Sequence, residues 1–406
     1  MTKKQRSTKT TQSFSEFTGR LSAKWKLLTQ PSKPALPNDS EHGKAELEDI
    51  FRQLIAIPTV TGNYEANHNA LDYIERFLKK QGMHCKRHEW NGSESLVATT
   101  RTTKKPKVML TAHLDVVPGD ESLFELQEKD GKYYGRGVLD MKFAIAAYLQ
   151  AVQDLPGNIR SYDFGIMITT DEEAGGVDGV ARLAEAGYIP KICILPDGGL
   201  DWQIQLYSKG FLYLSIVAEG KAAHGARPWL GDNAVNRLVQ IINESQKLFK
   251  DPGTDPEVKI NTLNIGRITG GKAPNQVAEH AEMLFDIRVS SDSEGGRLLQ
   301  EIEKICAHNN ATVSVLVNGC ATDFSLKDPV FAEFAALITE KTGVEVVGSR
   351  TPASSDIRYY IPHNVPCISV YPPGGSHHSQ NEWIDKKGFY QFQDIIQTYL
   401  ERTTKR

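Results

Sequence analysis

Hydrophobic and polar positions along residues 41–208 predict helices and strands that alternate. AELEDIFRQLIAI carries apolar residues at helical spacing and stops before Pro58, and NHNALDYIERFLKKQG predicts a second helix that ends at Gly82. KVMLTAHLDVV, DFGIMITT and KICILPD predict strands, separated by the helical segments KFAIAAYLQAVQDL and GVARLAEAG. This alternation indicates an α/β domain with a mostly parallel sheet, in which ligands bind at the carboxyl ends of the strands.

The pattern changes at residue 209. FLYLSIVAEGKA, TLNIGRITGG, AEMLFDIRVS and ATVSVLVNG predict strands, and NAVNRLVQIINESQKLF and SEGGRLLQEIEKICAHN predict helices. Residues 209–319 are therefore expected to form an α+β sandwich inserted into the first domain. From residue 320 the helices and the strand of the α/β pattern resume, so the α/β domain comprises residues 41–208 and 320–406.

The first 40 residues differ in composition from the rest, being rich in Lys, Arg, Ser and Thr. They lack the continuous apolar stretch of a secretory signal. Phe14, Phe17, Leu21 and Trp25 recur at roughly helical spacing, so a basic amphipathic helix and a transit peptide stay open as alternatives. The interpretation favoured here is a mobile basic extension over residues 1–40.

Composition narrows the class of protein. A chain of 406 residues is long for one core, which favours two domains. The net charge of −3 gives no basic field for nucleic acid. The five cysteines form no CxxC pair, which is typical of a reducing compartment and leads us to expect a cytoplasmic protein. No apolar run in the sequence is long enough for a transmembrane segment.

Side chains that bind metals follow the apolar runs at five places. They are His113 and Asp115 in TAHLDVVP, Asp140 in GRGVLDMK, Asp171, Glu172 and Glu173 in TTDEEAGG, Asp197 in ILPDGG, and His377, His378 and Glu382 in GGSHHSQNE. Each residue alone has an ordinary explanation as a structural histidine, a helix cap or a turn. Together, imidazoles and carboxylates at one sheet edge indicate Zn²⁺, with Co²⁺ or Mn²⁺ as alternatives. Five such ligands exceed one tetrahedral site, which suggests two ions that share a carboxylate.

The motifs HLDVVP, GRGVLDMK, TTDEEAGG and HSQNE carry a family resemblance. Over residues 45–402 the chain resembles the aminoacylase, desuccinylase and glutamate-carboxypeptidase family of co-catalytic zinc hydrolases, peptidase family M20. The resemblance implies a zinc-peptidase-like catalytic domain with a central, mostly parallel sheet. It also implies that residues 209–319 form a lid and dimerisation domain, and that the protein is a homodimer which binds two Zn²⁺.

The resemblance also implies a ligand set. His113 and Asp197 would hold one metal ion, and Asp140 would bridge to the second ion. Glu173 and His378 would complete the site of that second ion.

Two further acids acquire roles in the same way. Asp115 matches the family residue that orients the ligand histidine, and Glu172 matches the general base, which takes a proton from water and passes it to the leaving amine. Asp171 has no implied chemical role, and we interpret it as a turn or cap residue.

The resemblance also implies that residues of the inserted segment contact the substrate. GKAAHGARPWLGDNAVNRL resembles the family segment whose histidine, here His224, enters the partner subunit's site and stabilises an oxyanion. Asn275 and Arg288 match substrate-binding positions, and a guanidinium suits a free carboxylate. Arg358 and Gly375 match positions near the site, with a structural ion pair as an equal alternative for Arg358.

The chain departs from the family pattern at two positions. Phe143 stands where many members have glycine, which concerns helix packing rather than metal ligation. Asp197 stands where desuccinylases and acetylornithine deacylases usually have Glu, and Asp there resembles the dipeptidase and tripeptidase branches.

The expected function is a metal-dependent hydrolase that cleaves a peptide or N-acyl bond in a substrate with a free carboxylate. The alternative is a biosynthetic deacylase, such as succinyl-diaminopimelate desuccinylase or acetylornithine deacetylase. A metal-free enzyme that uses Glu172 and Glu173 as an acid/base pair belongs to a different class and predicts insensitivity to chelators. A binding protein that kept the fold is a third class, against which the intact set of candidate residues argues.

Overall fold

The computed structural model describes residues 40–250 and 260–406, so the predicted N-terminal extension lies almost wholly outside the described residues. The helices are α1 (Ser40–Ile55), α2 (Tyr64–Lys80), α3 (Lys142–Asp154), α4 (Arg182–Glu185), α5 (Ala234–Gln246), α6 (Asp292–His308), α7 (Pro329–Thr342) and α8 (Lys386–Thr404). The first strands are β1 (His84–Trp90), β2 (Ser93–Thr99), β3 (Val108–His113), β4 (Gln127–Lys129), β5 (Lys132–Tyr134), β6 (Phe164–Thr169), β7 (Ile192–Ile194) and β8 (Ile204–Ser208). The remaining strands are β9 (Gly210–Glu219), β10 (Thr262–Gly270), β11 (His280–Val289), β12 (Ala311–Gly319), β13 (Thr322–Asp323), β14 (Gly348–Thr351), β15 (Cys367–Ile368), β16 (Gly374–Gly375) and β17 (Trp383–Asp385).

The central sheet has six strands in the order β1-β2-β6-β3-β7-β15. Strand β3 runs parallel to β6 and β7, and β15 runs parallel to β7, whereas β1 and β2 are antiparallel additions at one edge. Every residue of β3 and β6 is buried, because both faces of the sheet are covered. This arrangement confirms the predicted α/β class with a mostly parallel sheet.

Helix α3 lies against this sheet and is almost entirely buried. Its Phe143 is fully buried, with its ring centroid 5.0 Å from that of Phe392 and 6.0 Å from that of Tyr371. The aromatic residue thus fills the core between α3 and its neighbours, in agreement with a packing role.

Residues 210–319 contain an antiparallel sheet in the order β10-β11-β9-β12. Helices α5 and α6 pack on this sheet around a separate apolar core that includes Leu214, Phe285, Leu238 and Ile302. Alternate residues of β9 and β11 are buried, as expected for a sheet covered on one face. These elements match the predicted strands and helices of the α+β sandwich, which we call the lid layer.

The parallel strands place their carboxyl ends at one edge of the central sheet. Strand β3 ends at His113, β6 ends two residues before Asp171, and β7 ends three residues before Asp197. Parallel register therefore gathers residues that are far apart in sequence at one place.

Candidate metal centre and active site

Asp140 lies between two imidazoles at this edge of the sheet. Its Oδ1 is 3.0 Å from Nε2 of His113, and its Oδ2 is 3.0 Å from Nε2 of His378. Glu173 contacts the second imidazole, with Oε1 3.2 Å from Nε2 of His378. Burial opposes ionisation of Asp140, but the two histidine contacts outweigh it and hold the pKa of Asp140 well below its usual range. A carboxylate that faces a different imidazole with each oxygen has the geometry of a bridging ligand.

The possible ligand atoms fall into two groups, in each of which all atoms lie within 4.8 Å of one another. One group is Asp140, Glu173 and His378, and the other is His113, Glu172 and Asp197. The first contains the predicted ligands of one ion, and the second contains the predicted pair His113 and Asp197. Glu172 also belongs to the second group, so geometry alone allows it to be a ligand or a base.

The electrostatics of the second group favour bound cations. Burial, together with repulsion from Asp140, raises the pKa of Asp197 to about 7. Burial and repulsion from Asp197 raise the pKa of Glu172 well above its usual value. Divalent cations would relieve this repulsion, and imidazole and carboxylate donors fit Zn²⁺, Co²⁺ and Mn²⁺.

The carboxylate of Asp115 holds the turn that carries the acid triplet. Its Oδ1 accepts from the backbone N–H of Glu172 at 3.2 Å, and its Oδ2 accepts from the N–H of Glu173 at 3.2 Å and from Oγ1 of Thr61 at 3.0 Å. His113 is oriented more closely by the backbone carbonyl of Asp115, 2.9 Å from Nδ1, than by Oδ1, which is 3.6 Å away. Asp115 therefore links His113 to the acid triplet.

Asp171 is a cap residue, as interpreted from the sequence. Its Oδ2 accepts from the backbone N–H groups of Asp178 at 2.8 Å and Gly179 at 2.9 Å. The turn between Asp171 and these N–H groups needs glycine at residue 176, where φ is +63° and a Cβ would lie 2.0 Å from Oδ1 of Asp356. The three acids thus differ in surroundings although they are consecutive in the chain.

Glu382 is one of the candidate residues of GGSHHSQNE, but this motif implies no role for it. In the structure its buried carboxylate accepts from the N–H groups of Leu139 at 2.9 Å and Asp140 at 3.1 Å. It also accepts from the N–H of Gly137 at 3.2 Å and from Nη1 of Arg136 at 2.8 Å. Glu382 therefore fixes the loop that presents the candidate bridging ligand.

Tyr371 contacts a candidate ligand, although the sequence analysis does not identify it. Its hydroxyl donates to Oδ1 of Asp197 at 3.0 Å, while Oγ of Ser369 accepts from the backbone N–H of Asp197 at 3.2 Å. Both residues lie in CISVYPPGG, more than 170 positions further along the chain. No sequence signal distinguished them from ordinary strand residues.

The predicted substrate residues of the lid layer lie apart from the two ligand groups. His224 and Asn275 are exposed, and Nδ1 of His224 accepts from the backbone N–H of Ala226 at 3.1 Å. Within residues 40–250 and 260–406, no hydrogen bond joins His224 or Asn275 to a ligand group. These two residues therefore contact neither ligand group directly.

The two predicted arginines are already held by the protein. Nε of Arg288 is 2.8 Å from Oδ1 of Asp286, and its Nη2 donates to the hydroxyl of Tyr213 at 3.1 Å. Arg358 is buried, with Nη2 donating to the carbonyl of Gly175 at 2.6 Å and lying 3.4 Å from Oδ1 of Asp356. Contacts within the protein thus occupy some of the hydrogen-bond donors of each guanidinium.

Gly375, the last predicted substrate residue, lies in strand β16 and pairs with Trp383 of β17. A Cβ at this position would lie 3.1 Å from Nε1 of Trp383. The glycine is therefore close-packed against the indole.

Two imidazoles and several carboxylates gathered at the edge of a parallel sheet are typical of metal-dependent hydrolases. Residues 109–402 match the model of peptidase family M20/M25/M40. The chain belongs to this family, and it is a metal-dependent hydrolase that acts on amide bonds.

Curated relatives and solved structures agree with this assignment. The chain is 27% identical over 376 residues to succinyl-diaminopimelate desuccinylase of Caulobacter sp. strain K31, an alignment that covers 87% of this chain and 95% of the relative. It is 28% identical over 303 residues to a probable carboxypeptidase of Aspergillus clavatus, covering 64% of this chain and 69% of the relative. The aminopeptidase PepT structure from Bacillus cereus superposes with a TM-score of 0.70 at 20% identity, covering 88% of this chain and 98% of that one.

Within the part of the chain that the structure describes, no helix combines the length and the apolar character that crossing a membrane requires.

Proposed function

We propose that this chain uses two divalent ions to hydrolyse an amide bond in a peptide or N-acyl amino acid that carries a free carboxylate. The observation that carries the proposal is the contact of Asp140 with both His113 and His378, since it joins the two ligand groups through one carboxylate. Both ligand groups found among the described residues consist of imidazoles and carboxylates, so the proposed ions are Zn²⁺, with Co²⁺ or Mn²⁺ as alternatives.

The proposed ligands divide into two sets around Asp140. His113 and Asp197 would hold one ion, and Glu173 and His378 would hold the other. When bound, such a pair of ions polarises the substrate carbonyl and lowers the pKa of a water molecule. Glu382 and Tyr371 would keep the carboxylates of Asp140 and Asp197 in place through their hydrogen bonds.

Glu172 is the proposed general base. Its backbone is fixed by the carboxylate of Asp115, which restricts where its side chain can reach. Among the described residues, none donates a hydrogen bond to the Glu172 carboxylate, which leaves its oxygens able to accept a proton from water. The same carboxylate would then pass the proton to the leaving amine.

His224 is the proposed oxyanion donor, supplied by a second copy of the chain. Its exposure, and a hydrogen bond that stays within its own loop, suit a side chain that acts on another subunit. A neutral or protonated imidazole at the reacting carbonyl would stabilise negative charge there. We therefore expect a homodimer in which residues 209–319 act as the lid and dimerisation domain. Its proposed location is the cytoplasm.

Arg288 of the lid layer supports the proposed substrate class. Arg288 is only partly exposed and lies beside Tyr213, where a guanidinium could bind a carboxylate and still keep its bond to Asp286. Asn275 of the lid layer is proposed to bind the substrate backbone. The desuccinylase reaction is the second candidate, since a relative of that name aligns over most of this chain.

A substrate panel with metal-loaded protein separates these candidates. The panel contains dipeptides, N-acetyl amino acids, N-succinyl-diaminopimelate and the C-terminal amide of each dipeptide. We expect hydrolysis of dipeptides and loss of most activity when the carboxylate is converted to an amide. Hydrolysis of N-succinyl-diaminopimelate alone would replace the peptidase proposal with the deacylase. No hydrolysis of any member with Zn²⁺, Co²⁺ or Mn²⁺ would overturn both.

A further inference from the structure

Phe211 occupies the point at which the chain enters the lid layer. It is the second residue of β9, and its side chain is buried. The chain leaves the same layer at Gly319, where a Cβ would lie 2.2 Å from Cε1 of the Phe211 ring. Glycine at the exit therefore makes the room that an aromatic ring at the entry requires.

The Phe211 ring contacts two guanidinium groups that come from different layers. The Cζ of Arg288, on β11 of the lid layer, lies 5.3 Å from the ring centroid. The Cζ of Arg358 lies 5.7 Å from the same centroid and belongs to the turn Asp356–Tyr359, which follows β14. Both distances are in the range of cation–π attraction. One side chain thus sets where two cations from separate parts of the fold can lie.

Each of these arginines keeps some capacity for a ligand. Nε and Nη2 of Arg288 both contact the carboxylate of Asp286, at 2.8 Å and 3.0 Å, and Nη2 also donates to the hydroxyl of Tyr213. Arg358 spends Nη2 on the carbonyl of Gly175, while its buried Nε has no hydrogen-bond partner among the described residues. A buried N–H without a partner costs free energy that an acceptor on a ligand would recover.

We propose that Phe211 is a positioning residue that holds Arg288 and Arg358 as one paired cationic subsite for the carboxylate end of the substrate. The inference rests on the proposed function, which places a free carboxylate at Arg288. The sequence already implies that Arg358 lies near the site; what is new is that the placement of Arg288 beside Arg358 depends on the π face of residue 211.

Physical chemistry explains why an aromatic ring suits this position. Two guanidinium groups repel each other, and the negative face of a phenyl ring offsets part of that repulsion. Methionine has a similar volume and would fill the space beside Gly319, but it has no such face. The contribution of the ring can therefore be separated from that of packing.

The test uses three variants of the metal-loaded full chain. Phe211→Met removes the π face, Phe211→Tyr keeps it, and Phe285→Met alters a buried aromatic residue in the lid core as a matched control. For each variant, kcat and KM are measured with the panel member that the wild type hydrolyses best and with the C-terminal amide of that compound.

We expect Phe211→Met to raise KM for the acid about 10-fold, with kcat and the amide KM nearly unchanged, since two cation–π contacts are lost. Phe211→Tyr should keep the wild-type KM ratio of acid to amide, and so should Phe285→Met. The inference is overturned if Phe211→Met keeps that ratio, or if it weakens acid and amide equally, which marks a structural role. A wild type that does not distinguish acid from amide would instead overturn the carboxylate part of the proposed function, and this inference with it.

Discussion

The carboxyl edge of the central sheet and the lid layer differ in how far their polar side chains are buried and held by contacts. At the sheet edge, His113, Asp115 and Asp140 are buried and each has several contacts that fix its side chain. In the lid layer, His224 and Asn275 are exposed. The candidate metal ligands are therefore held in place within one chain, whereas the residues proposed for the substrate contact neither ligand group.

The two regions also differ in how charge is balanced. The sheet edge packs Glu172 close to Asp197 and Glu173 close to Asp140, and the pKa of Asp197 is raised to about 7 because burial disfavours its charged form and Asp140 repels it. In the lid layer, Arg288 is matched by Asp286 two residues away on the same strand. Of the two regions, the sheet edge is the one where bound cations would offset the charge of the carboxylates, so we expect only its function to depend on them.

Among the changes that test this difference between the two regions, metal removal should have the largest effect on activity. Dialysis against a chelator is expected to abolish hydrolysis completely and to lower the melting temperature, because the clustered carboxylates lose their counter-charge. Added Zn²⁺ or Co²⁺ should restore both activity and melting temperature. Full activity in protein shown to be metal-free by elemental analysis would favour the acid/base pair of Glu172 and Glu173 instead.

Replacing His224 should affect turnover without affecting the metal content. We expect His224→Ala to lower kcat about 10²–10³-fold, the usual loss of one oxyanion donor, while exposed His363 gives a neutral alanine control. Mixing His224→Ala chains with inactive Glu172→Gln chains should recover part of the activity, since one site of a mixed dimer would hold both native residues. Recovery of none would contradict action across subunits.

Glu382→Gln compares a buried ion pair with an exposed one. The Arg136–Glu382 pair has side-chain exposures of 3% and 1%, whereas the Arg402–Glu340 pair has 51% and 50%. Breaking the buried pair should cost about 3 kcal/mol of unfolding free energy, and Glu340→Gln should cost much less, because solvent screens the exposed pair. Urea unfolding of the metal-loaded protein measures both. Equal costs would show that Glu382 does not hold the loop that carries Asp140.

Sequence patterns predicted the elements that have strong local signals. The buried strand before His113 and the alternating strands of the lid layer were evident because burial on two faces or one face leaves a distinct pattern. The hairpin of β4 and β5 was not predicted, since its three-residue strands carry too few positions for a pattern.

The site shows the same division between local and distant information. His113 and Asp115 could be paired on sequence because they are two residues apart on an extended segment. The bonds from the Asp140 loop to Glu382 join residues more than 240 positions apart, and the bond from Tyr371 to Asp197 spans 174. Such contacts depend on how the sheet brings the chain together, which no local motif encodes.

The order of the acids in TTDEEAGG tests the central claim most directly. Glu172 and Glu173 are consecutive, yet they lie in different ligand groups and are assigned different roles, base and metal ligand. Glu172→Gln and Glu173→Gln are prepared with excess Zn²⁺, and bound metal and kcat are measured for each. The account predicts that Glu172→Gln binds as much metal as the wild type with kcat reduced about 10²–10⁴-fold, while Glu173→Gln binds less. Loss of metal from Glu172→Gln, or turnover at the wild-type rate, would contradict the assignment of Glu172 as the base.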